Sequence, residues 1–252
     1  MKKTSVWLAV LVVTTLMFSC GNSEVEKESH EKTGPLFSLL TPEESGVSFR
    51  NLITEKEGEN YLLNDNMYQG CGMAIGDING DGLQDIFYCG NQVGDKLYLN
   101  QGNLKFKDIT EASGIGNDGT WSMGATFADV NADGLMDIYV SKHYFQEPEK
   151  RANKLYINTG NATFEERAEE FGLADQGYSI QSNFFDMDDD GDLDVFVVNQ
   201  PPTWRVLKGK KEFIGQVIYS DHIYENVNGT FVQRTSEAGV GSYMYSLNAN
   251  TS

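Results

Sequence analysis

Across 252 residues the chain sets 37 acidic against 19 basic side chains, a formal charge of −18 at pH 7. Binding nucleic acid through its phosphates needs clustered Lys and Arg, so that class of function is excluded. Part of the acidity sits in three short segments, where it serves a local purpose rather than a field for a distant partner.

The N-terminus opens with "MKK", the apolar run Val6–Phe18 and "SCGN". A basic start and about thirteen apolar residues before a small residue describe a secretory signal, too short to span a membrane. Cys20 stands where a bacterial lipoprotein carries its lipidated cysteine, although Met17 occupies a place where such signals usually hold Leu. Residues 1–19 therefore read as a lipoprotein signal peptide, and an ordinary signal with an incidental cysteine is the alternative. Removing residues 1–20 takes Lys2 and Lys3 with it and moves the charge from −18 to −20. Residues 20–34 are polar and charged, a tether composition. The expectation is an exported protein, lipid-anchored to a bacterial cell envelope, with the outer membrane as its site.

"DINGDGLQD" at 77–85 is the first of three acidic segments. At ~5 Å each carboxylate pair repels by roughly 1–3 kcal/mol, so the loop either splays into solvent or encloses a cation. The spacing favours a cation. Asp77, Asn79, Asp81 and Asp85 occupy positions 1, 3, 5 and 9, Leu83 at position 7 offers a carbonyl, and Gly82 allows a sharp turn. An all-oxygen cage suits Ca²⁺, whereas Mg²⁺ demands a stricter octahedron and Zn²⁺ would want Cys or His. "DVNADGLMD" at 129–137 and "DMDDDGDLD" at 186–194 repeat the pattern, with Asp129, Asn131, Asp133 and Asp137, then Asp186, Asp188, Asp190 and Asp194; Leu135 and Asp192 take the carbonyl position. Position 12 is Tyr88, Val140 or Val197 rather than the Glu of an EF-hand, and short strands rather than helices flank each loop. About three Ca²⁺ sites are expected, which would bring the charge of the processed chain to −14.

Each loop has the same sequel: "KLYLNQGNLKFKDITEASGI" from 96, "KLYINTGNATFEERAEEFGL" from 154 and "HIYENVNGTFVQRTSEAGV" from 222. These read as a strand, a Gly/Asn turn, a second strand and a polar exit ending in Gly plus an aliphatic residue. Every unit thus has four short strands and cannot cover its own apolar face, so neighbours must stack. From the first Asp of each loop to the next strand start the steps are 19, 25 and 36 residues, while the following intervals are 33 and 32, so insertions concentrate in one connection on one face. "FSLLTPEESGV" at 37–47 resembles the final strand and exit of a unit, and "YSLNANTS" at 245–252 aligns with "YSIQSNFF" at 178–185. The chain therefore reads as an all-β propeller segment over 35–252, about three and a fraction blades and the front part of a longer ring.

Cys71 and Cys89 flank the first loop, and buried free thiols are expected, with a disulfide as the alternative. His30, His143 and His222 are scattered and read as surface or loop residues.

"GATFADVNADGLMDIYV" and "NFFDMDDDGDLDVFVVN" resemble the FG-GAP or VCBS-type repeat of integrin α-subunit propellers. The run from "SGVSF" through "GCGMAIGDINGDGLQDIFYCGN" to "ASGI" is similar to secreted bacterial repeat proteins that end in an ASPIC and UnbV domain, a segment absent from these 252 residues. The resemblance implies a Ca²⁺-bearing propeller, usually seven-bladed, serving as a scaffold or binding platform; the first reading of function is a non-enzymatic propeller whose loops bind a glycan or protein ligand. A departure from it is the long connection at 199–221, where Trp204, Arg205 and Lys208 form a basic aromatic patch able to contact a ligand; a solvated loop is the plainer reading. A Ca²⁺-dependent polysaccharide lyase or hydrolase is the rival function. His143, Tyr144, Arg205 and Lys208 are its candidates, but no nucleophile motif or separate carboxylate pair accompanies them.

Overall fold

A computed structural model describes residues 37–240 apart from 64, 146 and 201–218. Twelve strands form three antiparallel sheets of four: β1 (Met73–Gly76), β2 (Asp85–Tyr88), β3 (Lys96–Asn100) and β4 (Phe106–Asp108); β5 (Trp121–Ala128), β6 (Asp137–His143), β7 (Lys154–Asn158) and β8 (Phe164–Glu166); β9 (Ser179–Phe185), β10 (Asp194–Asn199), β11 (His222–Val227) and β12 (Thr230–Gln233). Within each sheet strands pair in chain order, so every unit is a simple meander. The expected strand–acidic loop–strand–turn–strand unit is present three times. These are all-β blades of the propeller type, and all lie within one compact unit from Leu40 onward.

Stacking of the blades explains the burial pattern. β6 is buried at every residue. Its Ile138 and Val140 point into a core shared with Ala74, Phe87 and Leu97 of the first blade, while Tyr139 points into a second core with Val195, Val197 and Phe231 of the third. The two-residue period of a strand thus feeds two interfaces. β2 has only one such neighbour among the described residues and alternates buried with half-buried. The innermost strands β1, β5 and β9 pack side by side.

Each blade hands the chain to the next through a short capped turn. Gly46, Gly114 and Gly172 hold φ of 82°, 84° and 78°, and a Cβ on them would come within 2.1, 2.9 and 2.4 Å of the carbonyl oxygens of Phe106, Phe164 and Phe231. Those phenylalanines lie on the outer strand of the following blade, so the Gly of each exit sequence is fixed both by the left-handed backbone and by close approach. Residues 37–40, expected as strand, form none. The turn after them does follow the pattern: α1 (Pro42–Ser45) begins at a capping box between Thr41 and Glu44 and ends at Gly46. Gly172→Ala should lose about 2–5 kcal/mol, combining a left-handed cost of ~1–2 with overpacking of ~1–3. Gly160→Ala, at φ 91° with open space around it, should lose only the first part. Urea midpoints of the two variants check the difference.

A buried ionic joint locks the first blade to the second. Lys142, 1% exposed at its side chain, donates to Ser122 Oγ at 2.8 Å and faces Asp118 Oδ2 at 3.3 Å and Asp95 Oδ2 at 3.7 Å. Burial pushes the Asp95 carboxyl up, opposed by Lys142 and by N–H and O–H donors from Gly90 and Ser122. At Asp118 burial also pushes upward, but Lys142 and Thr120 prevail and hold it below its ordinary range.

Candidate metal centres

The three acidic loops share one hydrogen-bond pattern. The position-1 carboxylate accepts the N–H of position 6: Gly82 to Asp77 at 2.7 Å, Gly134 to Asp129 at 2.8 Å, Gly191 to Asp186 at 3.0 Å. It also accepts the N–H of position 5, from Asp81, Asp133 and Asp190. The position-5 carboxylate in turn accepts the N–H of Leu83, Leu135 or Asp192. Position 6 is left-handed as expected, with φ of 83°, 87° and 95°, and position 4 is left-handed too, at Gly80, Ala132 and Asp189. Two left-handed residues coil the loop tightly enough for its carboxylates to meet.

Position 9 has a second duty. Asp85, Asp137 and Asp194 are buried at the start of the second strand. One oxygen accepts the N–H of Ile78, Val130 or Met187 across the loop, and the other accepts the N–H of Asn100, Asn158 or Asn226 at the end of the third strand. Each carboxylate keeps lone pairs beyond these two bonds. Burial, then the N–H donors and the Asp133 and Asp129 charges, leave Asp137 at about 6. Asp77 is displaced the other way, because four backbone N–H groups outweigh the burial that raises it.

Convergence differs between the loops. In the third, Asp186, Asp188 and Asp194 each turn a carboxylate oxygen to within 4.8 Å of the others, the spread expected of oxygens around a cation at 2.3–2.6 Å. Asp192 Oδ1 is shielded from solvent without a hydrogen-bond partner. In the first two loops position 3 is an amide, and Asn79 and Asn131 donate to the position-5 carboxylates Asp81 and Asp133 at 3.0 and 2.9 Å. The residues present fit a hard cation, most fully in the third loop.

Sequence reasoning missed the supports. The Asn at the fifth position of the third strand accepts the glycine N–H of its hairpin through Oδ1, from Gly102, Gly160 and Gly229. The residue before that strand, Asp95, Asn153 or Asp221, accepts the N–H of Gly90, Lys142 or Asn199. Both recur at fixed offsets in the three repeats, a signal available to alignment of the repeats with one another.

Other expectations fare unevenly. Cys71 and Cys89 are free thiols, the second fully buried. His143 and His222 are not surface or loop residues: they sit buried at strand ends, where His143 Nε2 pairs with the Gln200 carbonyl at 2.8 Å and His222 Nδ1 with Asp175. Cys20, Trp204, Arg205 and Lys208 lie outside the described residues.

Four-stranded antiparallel blades, each with an acidic loop in its first hairpin, define a propeller-type repeat protein. Residues 77–140 and 146–197 match the FG-GAP-like repeat, and the chain carries such repeats. It is also 27% identical over 179 residues to cartilage acidic protein 1 of Xenopus tropicalis, an alignment covering 68% of this chain and 26% of that protein. The chain thus spans about a quarter of the length of that relative. Among the described residues no helix is long and apolar enough to cross a membrane.

Proposed function

We propose that the chain is a calcium-stabilised propeller scaffold and binding module, non-enzymatic, from an exported bacterial protein held to the envelope by lipid at Cys20, and that it engages a glycan or protein ligand. The observation that carries the calcium reading is the shared coil of the three loops, together with the converging oxygens of Asp186, Asp188 and Asp194. Ca²⁺ would be held by the carboxylates and amides at positions 1, 3, 5 and 9 and the carbonyls of Leu83, Leu135 and Asp192. When bound it supplies neutralisation of crowded charge, and metal binding then adds to folding stability. A binding rather than catalytic role is supported by His143, the nearest thing to a general base in the rival reading, whose ring is enclosed in the interior.

Calorimetric titration of the chelated protein tests this. About three Ca²⁺ should bind per chain in the weak extracellular range of about 10⁻⁴–10⁻³ M, the third loop tighter. Asp133→Ala should remove one equivalent. A chain that takes up no Ca²⁺ at millimolar concentration refutes the reading.

A further inference from the structure

We propose that the cleft between the first two blades, at the end opposite the acidic loops, is a binding site for a neutral saccharide ring. The proposal rests on the binding-module reading above and gives it a site and a ligand class. The cleft encloses about 380 Å³, within the ~300–1,000 Å³ range of small-ligand pockets, enough for about one or two sugar rings. Four segments wall it: the stretch before β1, the β2–β3 connection, the β4–β5 connection and the turn after β6. The cleft therefore exists only because the blades stack.

Its aromatic wall is Tyr144. This ring stacks on Trp121 with centroids 4.5 Å apart and planes at 14°, and Phe145 meets it edge-on at 5.4 Å. Trp121 is 2% exposed, so what the pair offers the cleft is the uncovered part of the tyrosine. Tyr144 also has φ 73°, a conformation disfavoured for a bulky residue and met where a surrounding structure imposes it for use. The left-handed turn at the end of β6 swings the ring back over Trp121 instead of letting the strand run on.

The remaining wall is polar without net charge. Thr54 supplies a hydroxyl and Asn117 an amide N–H group, its Oδ1 accepting from Gly119; Gln92 is fixed to the Thr54 backbone at both ends of its amide, and Lys56 and Glu59 neutralise one another at 3.1 Å. An anionic sugar would find no uncompensated cation there and would approach a chain of charge −18. A cationic peptide would find one carboxylate in the lining, Glu59, already paired with Lys56. A neutral pyranose matches both surfaces, laying its C–H face on an aromatic ring and its hydroxyls against amides, the pairing of apolar wall and few placed polar groups that small-ligand sites use.

The test uses the intact chain in millimolar Ca²⁺, titrated with maltotetraose, cellotetraose, xylotetraose and mannotetraose, with a galacturonate tetramer as the anionic comparator. Binding is read by calorimetry and products by chromatography. At least one neutral tetramer should bind. Tyr144→Gly should weaken it at least about tenfold, or 1.4 kcal/mol; losing the stack on Trp121 should lower the melting temperature, an effect partly offset because Gly suits a φ of 73°, and undiminished Ca²⁺ uptake shows the variant folded at the assay temperature. Tyr144→Phe should stay within about threefold. The proposal is overturned if no neutral tetramer binds at millimolar concentration, if galacturonate binds as well, or if Tyr144→Gly leaves binding unchanged. In each case undiminished Ca²⁺ uptake leaves the scaffold reading standing. Shortened sugars that disappear with Tyr144→Gly would do the reverse, keeping the site and overturning the non-enzymatic reading.

Discussion

Lys142→Met should melt about 6–20 °C below the parent chain, the largest loss expected of any single side chain here. The substitution keeps length and volume but removes the ammonium from a site that holds two carboxylates. Asp95, 8% exposed, would retain the N–H of Gly90 at 2.7 Å and the hydroxyl of Ser122 at 3.0 Å but lose its counter-charge. Breaking one side of a buried pair costs about 3–5 kcal/mol, and a domain of this size shifts by about 2–4 °C per kcal/mol. The cost is that of an uncompensated charge, so it should be reversible by removing the charge. Lys142→Met with Asp95→Asn should recover about half the loss, because an amide oxygen can still accept from Gly90. Recovery of that kind separates electrostatics from packing. A single variant that melts with the parent would show that the two blades are held by their apolar faces alone.

The joint also shows where sequence reading stops. Acidic loops, strand alternation and the recurring Gly of the exit turn are local signals, each contained in about ten residues and each present three times. Asp95, Asp118, Ser122 and Lys142 come from one connection on the first blade, the crossing between blades and two strands of the second. No spacing rule joins them, because blade stacking alone brings them together. The two histidines fall to the same cause. Their positions at the end of β6 and the start of β11 are the points where strands enter the interior, and partners such as Gln200 and Asp175 lie on other elements.

The candidate centres were legible in part for a similar reason. The ligand positions follow from carboxylate spacing within nine residues. That position 9 also splices the loop to the third strand does not follow, since the partner N–H groups of Asn100, Asn158 and Asn226 lie fifteen, twenty-one and thirty-two residues away. The left-handed backbone at position 4 was hidden by its occupants, Gly80, Ala132 and Asp189, only the first of which advertises it. Tyr144 was singled out as a possible catalytic group through its place after an acidic loop. In the structure the same place makes it the wall of a cleft.

Chelating Ca²⁺ should lower the melting temperature by about 4–20 °C, and one substitution distinguishes a structural ion from a merely acidic loop. At about 2 mM Ca²⁺ a site with a dissociation constant of about 10⁻⁴–10⁻³ M adds about 0.7–1.8 kcal/mol through mass action, so three sites give about 2–5 kcal/mol. The third loop tests the assignment most sharply because it alone has a carboxylate at position 3. Burial and then the neighbouring Asp190 and Asp194 charges hold Asp188 above its ordinary range, a sign that the loop without a cation is electrostatically opposed. Asp188→Asn copies the first two loops. In chelator it should melt higher than the parent, since a repelling charge is gone; in Ca²⁺ it should melt lower than the parent, since a ligand charge is gone as well. The two shifts have opposite signs, which no simple change in packing produces. If Asp188→Asn moves both melting temperatures in the same direction by the same amount, the third loop is an acidic turn and the calcium assignment fails at its best-formed site.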